Sequence, residues 1–350
     1  MSSRVVVPPS EIDFESRGRR DYWVALEHDS IWGEWHLPLT VIVGPAAKSG
    51  NGLVAIGSTH GDEYEGPVAI KNLMRDIDTA DVLGRIIFIP VLNVAAFRSG
   101  ARESVDDDGL NLNRAFVDRA GEEPGISGIT HRIAKFVRDN IWPHVHVVLD
   151  IHSGGRVARY PPVMLFHPVE DAEQGRLTIE TARLFGTPFV CLFQDRTPGL
   201  MLSESERLGN VTIGSELGWG QFVSVQTVKY ARQGIIGAAI MHGQLAGEIS
   251  PADHYAAGDQ KIVEAVDREC YVPAPWPGLY EPLVELGAPV KKGQTVALVH
   301  DYHRIDEDPW PVQAGLDGYV LGQSVTAKVI PGQHILVVAR DIRRGRYPGV

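Results

Sequence analysis

Cysteine is scarce in this 350-residue sequence. The two cysteines, Cys191 and Cys270, are far apart in the chain and form no Cys-x-x-Cys pair. A metal site built from thiolates is therefore not expected. Two cysteines are also too few for a disulfide scaffold, so we expect a reducing compartment.

Long apolar runs are absent as well. No segment approaches the roughly 18 consecutive apolar residues of a membrane-spanning helix, and we expect no membrane partner. Residues 1–23 show no apolar stretch of signal-peptide length after a basic start. These two features together favour a cytoplasmic protein.

Clusters of lysine and arginine are also missing. The sequence has 33 Lys and Arg against 44 Asp and Glu, which gives a net charge of −11. A nucleic-acid partner is not expected, because neutralising phosphates needs clustered basic residues. The acidic balance is compatible with a neutral or cationic small substrate, although an acidic pI is also common among soluble proteins.

From Leu53 onward, short apolar strand-like runs alternate with segments of helical spacing. This alternation predicts an α/β fold in which a mostly parallel or mixed sheet is covered by helices on both faces. The predicted strands cover 53–56, 85–92, 146–151 and 189–193. The predicted helices cover 66–76, 129–140, 177–185 and 234–246.

The composition changes near residue 256. The remaining residues are rich in Gly, Pro and Val, and their short strand-like runs are separated by turns, which predicts an all-β unit. We therefore divide the chain into a catalytic domain at 1–255 and a C-terminal β domain at 256–350. The change itself falls between Pro251 and Cys270.

The segment STHGDEYEG places His60 and Glu63 directly after the first buried strand. Imidazole nitrogens and carboxylate oxygens are ligands that suit Zn²⁺. His152 follows another buried strand, in LDIHSGG, and the ends of parallel strands meet at one edge of a sheet. These three residues predict a catalytic zinc site with an open position for water. Asp150 is either a partner for the second ring nitrogen of His152 or a structural capping residue.

The segment from Asn93 to Phe116 contains the run NLNRAF after an Asp/Gly loop. Arg114 offers a planar fork that can bind a carboxylate, and Asn113 can supply a further donor. Arg102 is a candidate for polarising a scissile carbonyl, and Arg98 is its rival for that role.

The combination of HGDEYEG, NLNRAF and LDIHSGG resembles the succinylglutamate desuccinylase/aspartoacylase family, a branch of the zinc-carboxypeptidase superfamily. The resemblance covers most of the chain. It implies a zinc-carboxypeptidase-like mixed sheet and one Zn²⁺ held by His60, Glu63 and His152. It also implies carbonyl polarisation by Arg102 and carboxylate binding by Asn113 and Arg114.

The same resemblance implies a general acid/base glutamate late in the catalytic domain. The run VTIGSELGWG offers Glu216 at the end of a β-rich segment. Ser215 departs from the family pattern, which has Thr in this context.

Within the family, the segments WGEWHLPLTVI and HGDEYEGPVAI are similar to the deacetylases of ectoine degradation, which remove acetate from Nα-acetyl-2,4-diaminobutyrate. We therefore expect a zinc-dependent amidohydrolase acting on a small N-acyl amino acid. The alternatives are an aspartoacylase or succinylglutamate desuccinylase, a small-substrate metallocarboxypeptidase, and a non-catalytic binding protein with the same fold. A homo-oligomer remains open.

The C-terminal segment also resembles the half-barrels that carry biotin or lipoate. Such carriers attach the cofactor to a lysine at a hairpin tip, and the tip region HDYHRIDEDPW has none. We expect a structural or gating domain that narrows the mouth of the active site.

Overall fold

The computed structural model describes residues 5–27, 32–117, 128–193, 198–249, 259–343 and 347. In these ranges the helices are α1 (Glu65–Asp76), α2 (Val94–Ser99), α3 (Ile129–Phe136), α4 (Ala172–Arg183), α5 (Met201–Arg207) and α6 (Val225–Met241). Short 3-10 helices lie at Pro9–Glu11, Thr79–Asp81, Leu112–Arg114, Trp142–His144 and Arg268–Cys270, and a π-type turn at Val137–Ile141 extends α3.

The strands of the described residues are, in chain order, β1 (Val6–Val7), β2 (Gly18–Glu27), β3 (Glu34–Val43), β4 (Gly52–Gly57), β5 (Arg85–Ile89), β6 (Val145–Ile151), β7 (Ala158–Arg159), β8 (Val163–Phe166), β9 (Phe189–Phe193), β10 (Val211–Glu216), β11 (Lys261–Ala265), β12 (Tyr271–Pro273), β13 (Gly278–Pro282), β14 (Pro289–Val290), β15 (Thr295–His300), β16 (Trp310–Gln313), β17 (Gly318–Ser324), β18 (Lys328–Val329) and β19 (His334–Asp341).

Fifteen of these described strands form one mixed sheet, in the order β1-β2-β3-β5-β4-β6-β10-β8-β9-β11-β19-β17-β14, with β12 on β19 and β7 on β17. The centre is parallel across β5, β4, β6 and β10. Four further strands form a second, antiparallel sheet in the order β16-β15-β13-β18.

The central strands are buried on both faces. Along β4, Val54 and Ile56 pack into one hydrophobic cluster, whereas Leu53 and Ala55 pack into another on the opposite face. Successive side chains of a strand point to opposite faces, so a strand covered on both sides needs an unbroken apolar run. The first cluster includes residues of α3, and the second includes residues of α1, α4 and α6.

The predicted α/β class with a C-terminal all-β part is confirmed. The helix predicted at 234–246 is wrong in its bounds, because α6 runs through Gly234 and Gly237 as one helix that starts at Val225. Tertiary packing here overrides the low helix propensity of glycine. None of the helices in the described ranges is long and apolar enough to cross a membrane.

The predicted division at 255/256 lies in 250–258, outside the described residues. Beyond it, β11 pairs in parallel with β9, and β19 pairs with β11. The main sheet therefore runs from the N-terminal part of the chain into the C-terminal part. The division into two domains remains a prediction.

Arg85, the first residue of β5, connects separate segments from a fully buried position. Its Nε donates to the carbonyl of Phe14 at 2.7 Å, and Nη1 donates to the carbonyls of Lys48 at 3.0 Å and His144 at 3.3 Å. Its Nη2 donates to Glu15 at 2.7 Å. A guanidinium has five donors in a fixed plane, which suits it to several acceptors at once.

Replacing Arg85 by methionine should lower the free energy of unfolding by about 3 kcal/mol, because three carbonyls lose a charged donor. Urea-induced unfolding at pH 7 measures the change. Arg75→Met is the matched control, since Arg75 is exposed and its ion pair among the described residues is with its neighbour Asp76. It should leave the stability unchanged within error. Equal losses in both variants would contradict the connecting role of Arg85.

Candidate active site

Three neighbouring parallel strands, β4, β6 and β10, end at the same edge of the sheet. The pairing register aligns their carboxyl ends: Gly57 of β4 pairs with Ile151 of β6, and Gly214 of β10 pairs with Asp150 of β6. His60 and Glu63 follow β4, His152 follows β6, and Glu216 is the last residue of β10. The crevice beyond the carboxyl ends of parallel strands is where such folds gather functional side chains.

Glu63 bridges the two histidines. Its Oε1 lies 2.9 Å from Nδ1 of His60, and its Oε2 lies 2.7 Å from Nδ1 of His152. The potential ligand atoms of the three residues lie within 4.8 Å of one another, and all three side chains are buried. Two imidazoles and one carboxylate form the donor set of a three-ligand catalytic zinc site. The residues therefore fit a metal ion of this type.

The outer nitrogens of both imidazoles also have partners. Nε2 of His152 lies 2.7 Å from a carboxylate oxygen of Asp150, and Thr59 donates to the other oxygen at 2.7 Å. Nε2 of His60 lies 3.2 Å from Oδ1 of Asn111. Such contacts fix ring orientation and turn Nδ1 toward the shared point. Of the two roles open for Asp150, the structure supports the ligand partner.

The charges of the cluster stabilise one another. Burial raises the pKa of Glu63, but the nearby His60 and His152 outweigh it and hold that pKa well below its usual range. Burial lowers the pKa of His60. Burial also opposes the charged form of His152, yet Asp150 and Glu63 hold its pKa well above the usual range. Glu63 is thus kept ionised, as an anionic ligand must be.

The loop that carries His60 is tightly packed. A Cβ on Gly61 would lie 2.0 Å from the backbone carbonyl carbon of Ala96 in α2, so only glycine fits there. Ser58 has a left-handed φ of 55°, and its hydroxyl donates to the carbonyl of His60 at 3.1 Å. A backbone held in this uncommon region is typical of functional sites.

Arg102 and Arg98 take different positions. Nη1 of Arg102 donates to Oε1 of Glu63 at 3.0 Å, which places its guanidinium beside the cluster. The guanidinium of Arg98 lies over the ring of Trp35, 5.2 Å from its centroid. Of the two rivals, the structure brings Arg102 to the site.

Asn113 and Arg114 lie on the 3-10 helix Leu112–Arg114, next to Asn111 and hence close to His60. The amide oxygen of Asn113 accepts from the backbone N–H of Met201 at 2.9 Å, which orients the amide. Arg114 is exposed, and its Nη1 donates to the carbonyl of Asn113 at 2.6 Å.

Glu216 carries a carboxyl oxygen, Oε2, that is buried and has no hydrogen-bond partner within the described part of the chain. Burial and the charge of Glu63 raise the pKa of Glu216 to about 8. Its neighbour Ser215 bonds to both the N–H and the carbonyl of His152, each at 3.0 Å. The hydroxyl that Ser215 shares with the threonine of the family pattern thus holds the backbone of His152 in place.

Glu65, in the same motif as Glu63, is a second buried carboxyl that sequence reasoning did not single out. Burial, with a smaller contribution from Glu63, raises the pKa of Glu65 to about 7, although a hydrogen bond with Ser153 opposes this. A Cβ on Gly218 would lie 2.1 Å from its Oε1. Glu65 is the first residue of α1.

Tyr160 is another residue that sequence reasoning missed. Burial raises the pKa of Tyr160, and the charges of Glu216 and Glu63 raise it further. Its ring packs against Gly154 and Gly322: a Cβ on either glycine would lie 3.1 Å from it. Gly322 belongs to β17, so the C-terminal strands help to position this ring. No local pattern signals such a contact.

Arg156 and Arg159 lie between His152 and Tyr160. The side chain of Arg156 donates to that of Gln221. The guanidinium of Arg159 lies 5.0 Å from the ring centroid of Trp219, and its buried Nε has no hydrogen-bond partner among the described residues.

Comparison with known proteins places these features in a family. The model of the succinylglutamate desuccinylase/aspartoacylase catalytic domain matches residues 49–240. The N-alpha-acetyl-L-2,4-diaminobutyric acid deacetylase of Halomonas elongata is 34% identical over 337 residues, 95% of this chain and 94% of that protein.

Solved structures are similar along nearly the whole chain. The product-bound ectoine utilization protein EutE of Ruegeria pomeroyi has a TM-score of 0.83 at 30% identity, covering 94% of this chain and 98% of its own. A succinylglutamate desuccinylase/aspartoacylase of Rhodobacter sphaeroides has a TM-score of 0.86 at 29% identity, and the match covers 97% of this chain and 100% of that structure's chain. The chain therefore belongs to the succinylglutamate desuccinylase/aspartoacylase family.

Proposed function

We propose that this chain is a zinc-dependent amidohydrolase that releases acetate from Nα-acetyl-L-2,4-diaminobutyrate in ectoine catabolism. The observation that carries the proposal is the buried group of His60, Glu63 and His152, with Glu216 on the next strand, whose buried Oε2 has no hydrogen-bond partner among the described residues. The Halomonas deacetylase, similar over 95% of this chain, supports the substrate.

In this proposal His60, Glu63 and His152 hold one Zn²⁺. When bound, the ion supplies a Lewis acid that polarises the amide carbonyl and makes water a nucleophile at neutral pH. Asp150 and Asn111 keep the two imidazoles oriented toward it, through the contacts described above.

Glu216 moves the protons. As a general base it takes a proton from the attacking water, and as a general acid it delivers that proton to the leaving amine. A pKa near 8 lies close to the working pH, where one carboxyl can both accept and release a proton.

Arg102 donates to the oxyanion that forms as the carbonyl is attacked, a role that its position beside Glu63 supports. Asn113 and Arg114 bind the α-carboxylate of the amino-acid portion, since a guanidinium fork and an amide can donate to it together. Met201 holds the Asn113 amide in place.

The C-terminal region acts as a structural or gating unit at the mouth of the site. β7, which follows His152, pairs with β17, and Tyr160 packs against Gly322. A covered mouth favours small N-acyl amino acids over peptides and so argues against a metallocarboxypeptidase. In this proposal, residues 1–255 form the catalytic domain and residues 256–350 form the C-terminal β domain.

One observation favours a second candidate, a deacylase for acidic amino acids. The buried Nε of Arg159 has no hydrogen-bond partner among the described residues. A substrate side-chain carboxylate would satisfy it, as in an aspartoacylase or succinylglutamate desuccinylase.

The metal proposal predicts about one Zn²⁺ per chain, as expected for one three-ligand site. His60→Ala and His152→Ala should lose both the metal and the activity. Metal analysis of the purified variants measures this, with the exposed His36→Ala as control. Full metal occupancy in either ligand variant would show that the ligand assignment is wrong.

Glu216→Gln should keep the zinc and lose about 10²–10⁴-fold in turnover, the usual contribution of a positioned acid/base. Turnover and metal content are measured on the same preparation, with the exposed Glu180→Gln as control. The comparison with Glu65→Gln is decisive. If that variant loses more turnover than Glu216→Gln, the acid/base is Glu65.

Nα-acetyl-L-2,4-diaminobutyrate should exceed N-acetylaspartate and N-succinylglutamate in kcat/KM by at least about tenfold, or about 1.4 kcal/mol. The reason is that an acidic side chain needs its own buried cation, and an unpaired charge is costly. The three substrates are compared at one pH. A reversed order that Arg159→Met abolishes would establish the acidic-substrate alternative, with the zinc deacylase proposal intact.

A further inference from the structure

A cavity of about 410 Å³, here called the far cavity, lies at the amino-terminal end of β10. Gly209, just before β10, lines it, whereas Glu216 ends the same strand at the candidate active site. At about 3.3 Å per residue, the two sites are roughly 20 Å apart along the strand. The far cavity is therefore separate from the proposed deacylase site.

Two buried polar atoms at the far cavity lack partners. The hydroxyl of Ser203 and Oε1 of Glu206 have no hydrogen-bond partner in the described ranges. Both residues line the cavity, and they are only 3% and 9% exposed. Buried side-chain polar atoms in native proteins are nearly always hydrogen-bonded, because leaving them unpaired is costly. Both atoms belong to α5, on residues that line the same cavity.

Neighbouring residues hold Glu206 in place, although its Oε1 is unpaired among the described residues. Oε2 of Glu206 lies 3.1 Å from Nδ1 of the buried His167. The side-chain amide of Gln174 donates to the carbonyls of Glu206 at 2.9 Å and Asn210 at 2.8 Å, which fastens the end of α5 to α4. Glu206 is thus held in place at the cavity wall, with Oε1 unpaired among the described residues.

The charge of the lining favours a cation. Glu170, Asp171 and Glu206 supply three carboxyl groups. The cationic Arg207 is already paired with Glu204, with Nη1 2.8 Å from each carboxylate oxygen. An ionised carboxylate only accepts hydrogen bonds, so its partner must be a donor.

The volume favours an organic cation over a bare metal ion. Among the described residues, one group of three His, Cys, Asp or Glu side chains could hold a metal ion, and it is His60, Glu63 and His152. The far cavity has no such group among the described residues. Its volume falls within the range of about 300–1,000 Å³ that is typical of small-molecule sites. We propose that the far cavity binds a small organic cation. Its ammonium group donates hydrogen bonds to the carboxylate of Glu206 and to the hydroxyl oxygen of Ser203.

Calorimetric titration of the full-length protein with putrescine at pH 7 tests the proposal. We expect saturable binding, with a dissociation constant raised at least about tenfold in Glu206→Gln, the effect of losing a charged hydrogen bond. Glu170→Lys, at the exposed rim, should weaken binding similarly by charge repulsion. Glu180→Lys makes the same charge change on the exposed face of α4, away from the cavity, and should leave the affinity unchanged within about twofold.

Several results would overturn the proposal: no saturable binding, equal binding in all variants, or equal weakening by Glu170→Lys and Glu180→Lys. Equal binding in all variants would assign the putrescine to another site. If Glu206→Gln does not fold, Glu170→Lys and Ser203→Ala decide the outcome. A parallel titration with Mg²⁺ separates the ligand classes, because Glu206-dependent binding of Mg²⁺ without putrescine binding would replace the organic cation by a metal ion.

Discussion

The arrangement of the active site depends on one carboxylate. Each oxygen of Glu63 faces Nδ1 of a different histidine, and one oxygen also accepts from Arg102. A buried charge is tolerated only when it is paired, so Glu63 stabilises the group and the group keeps Glu63 ionised. Asp150, itself held by Thr59, extends this set of pairs behind His152.

This group can form because the strands beneath it are rigid and apolar. β4, β6 and β10 consist mostly of buried apolar residues, and the side chains of the candidate site lie at or just beyond their carboxyl ends. Close packing along the strands fixes where each end lies, and that in turn fixes the side chains that follow it. Ser215 adds to this by bonding to the backbone of His152 across the strand pair.

The C-terminal region is part of the same framework. β11 extends the main sheet through β9, and β17 pairs with β7 close to the active site. Tyr160 lies between Gly154 and Gly322 because neither glycine has a side chain in its way. A region that resembles a cofactor carrier in sequence here contributes strands to the main sheet and a packing contact for Tyr160.

The sequence by itself determined the α/β class, the C-terminal β region and the candidate ligands, because an apolar strand followed by His-x-x-Glu or His is a local pattern. It left Arg98 and Arg102 as rivals, and only tertiary packing separated them, by placing Arg98 over Trp35. Tyr160 became visible only in the folded chain. Part of its surroundings comes from β17, more than 150 positions away, and contacts at that separation leave no periodicity in the sequence.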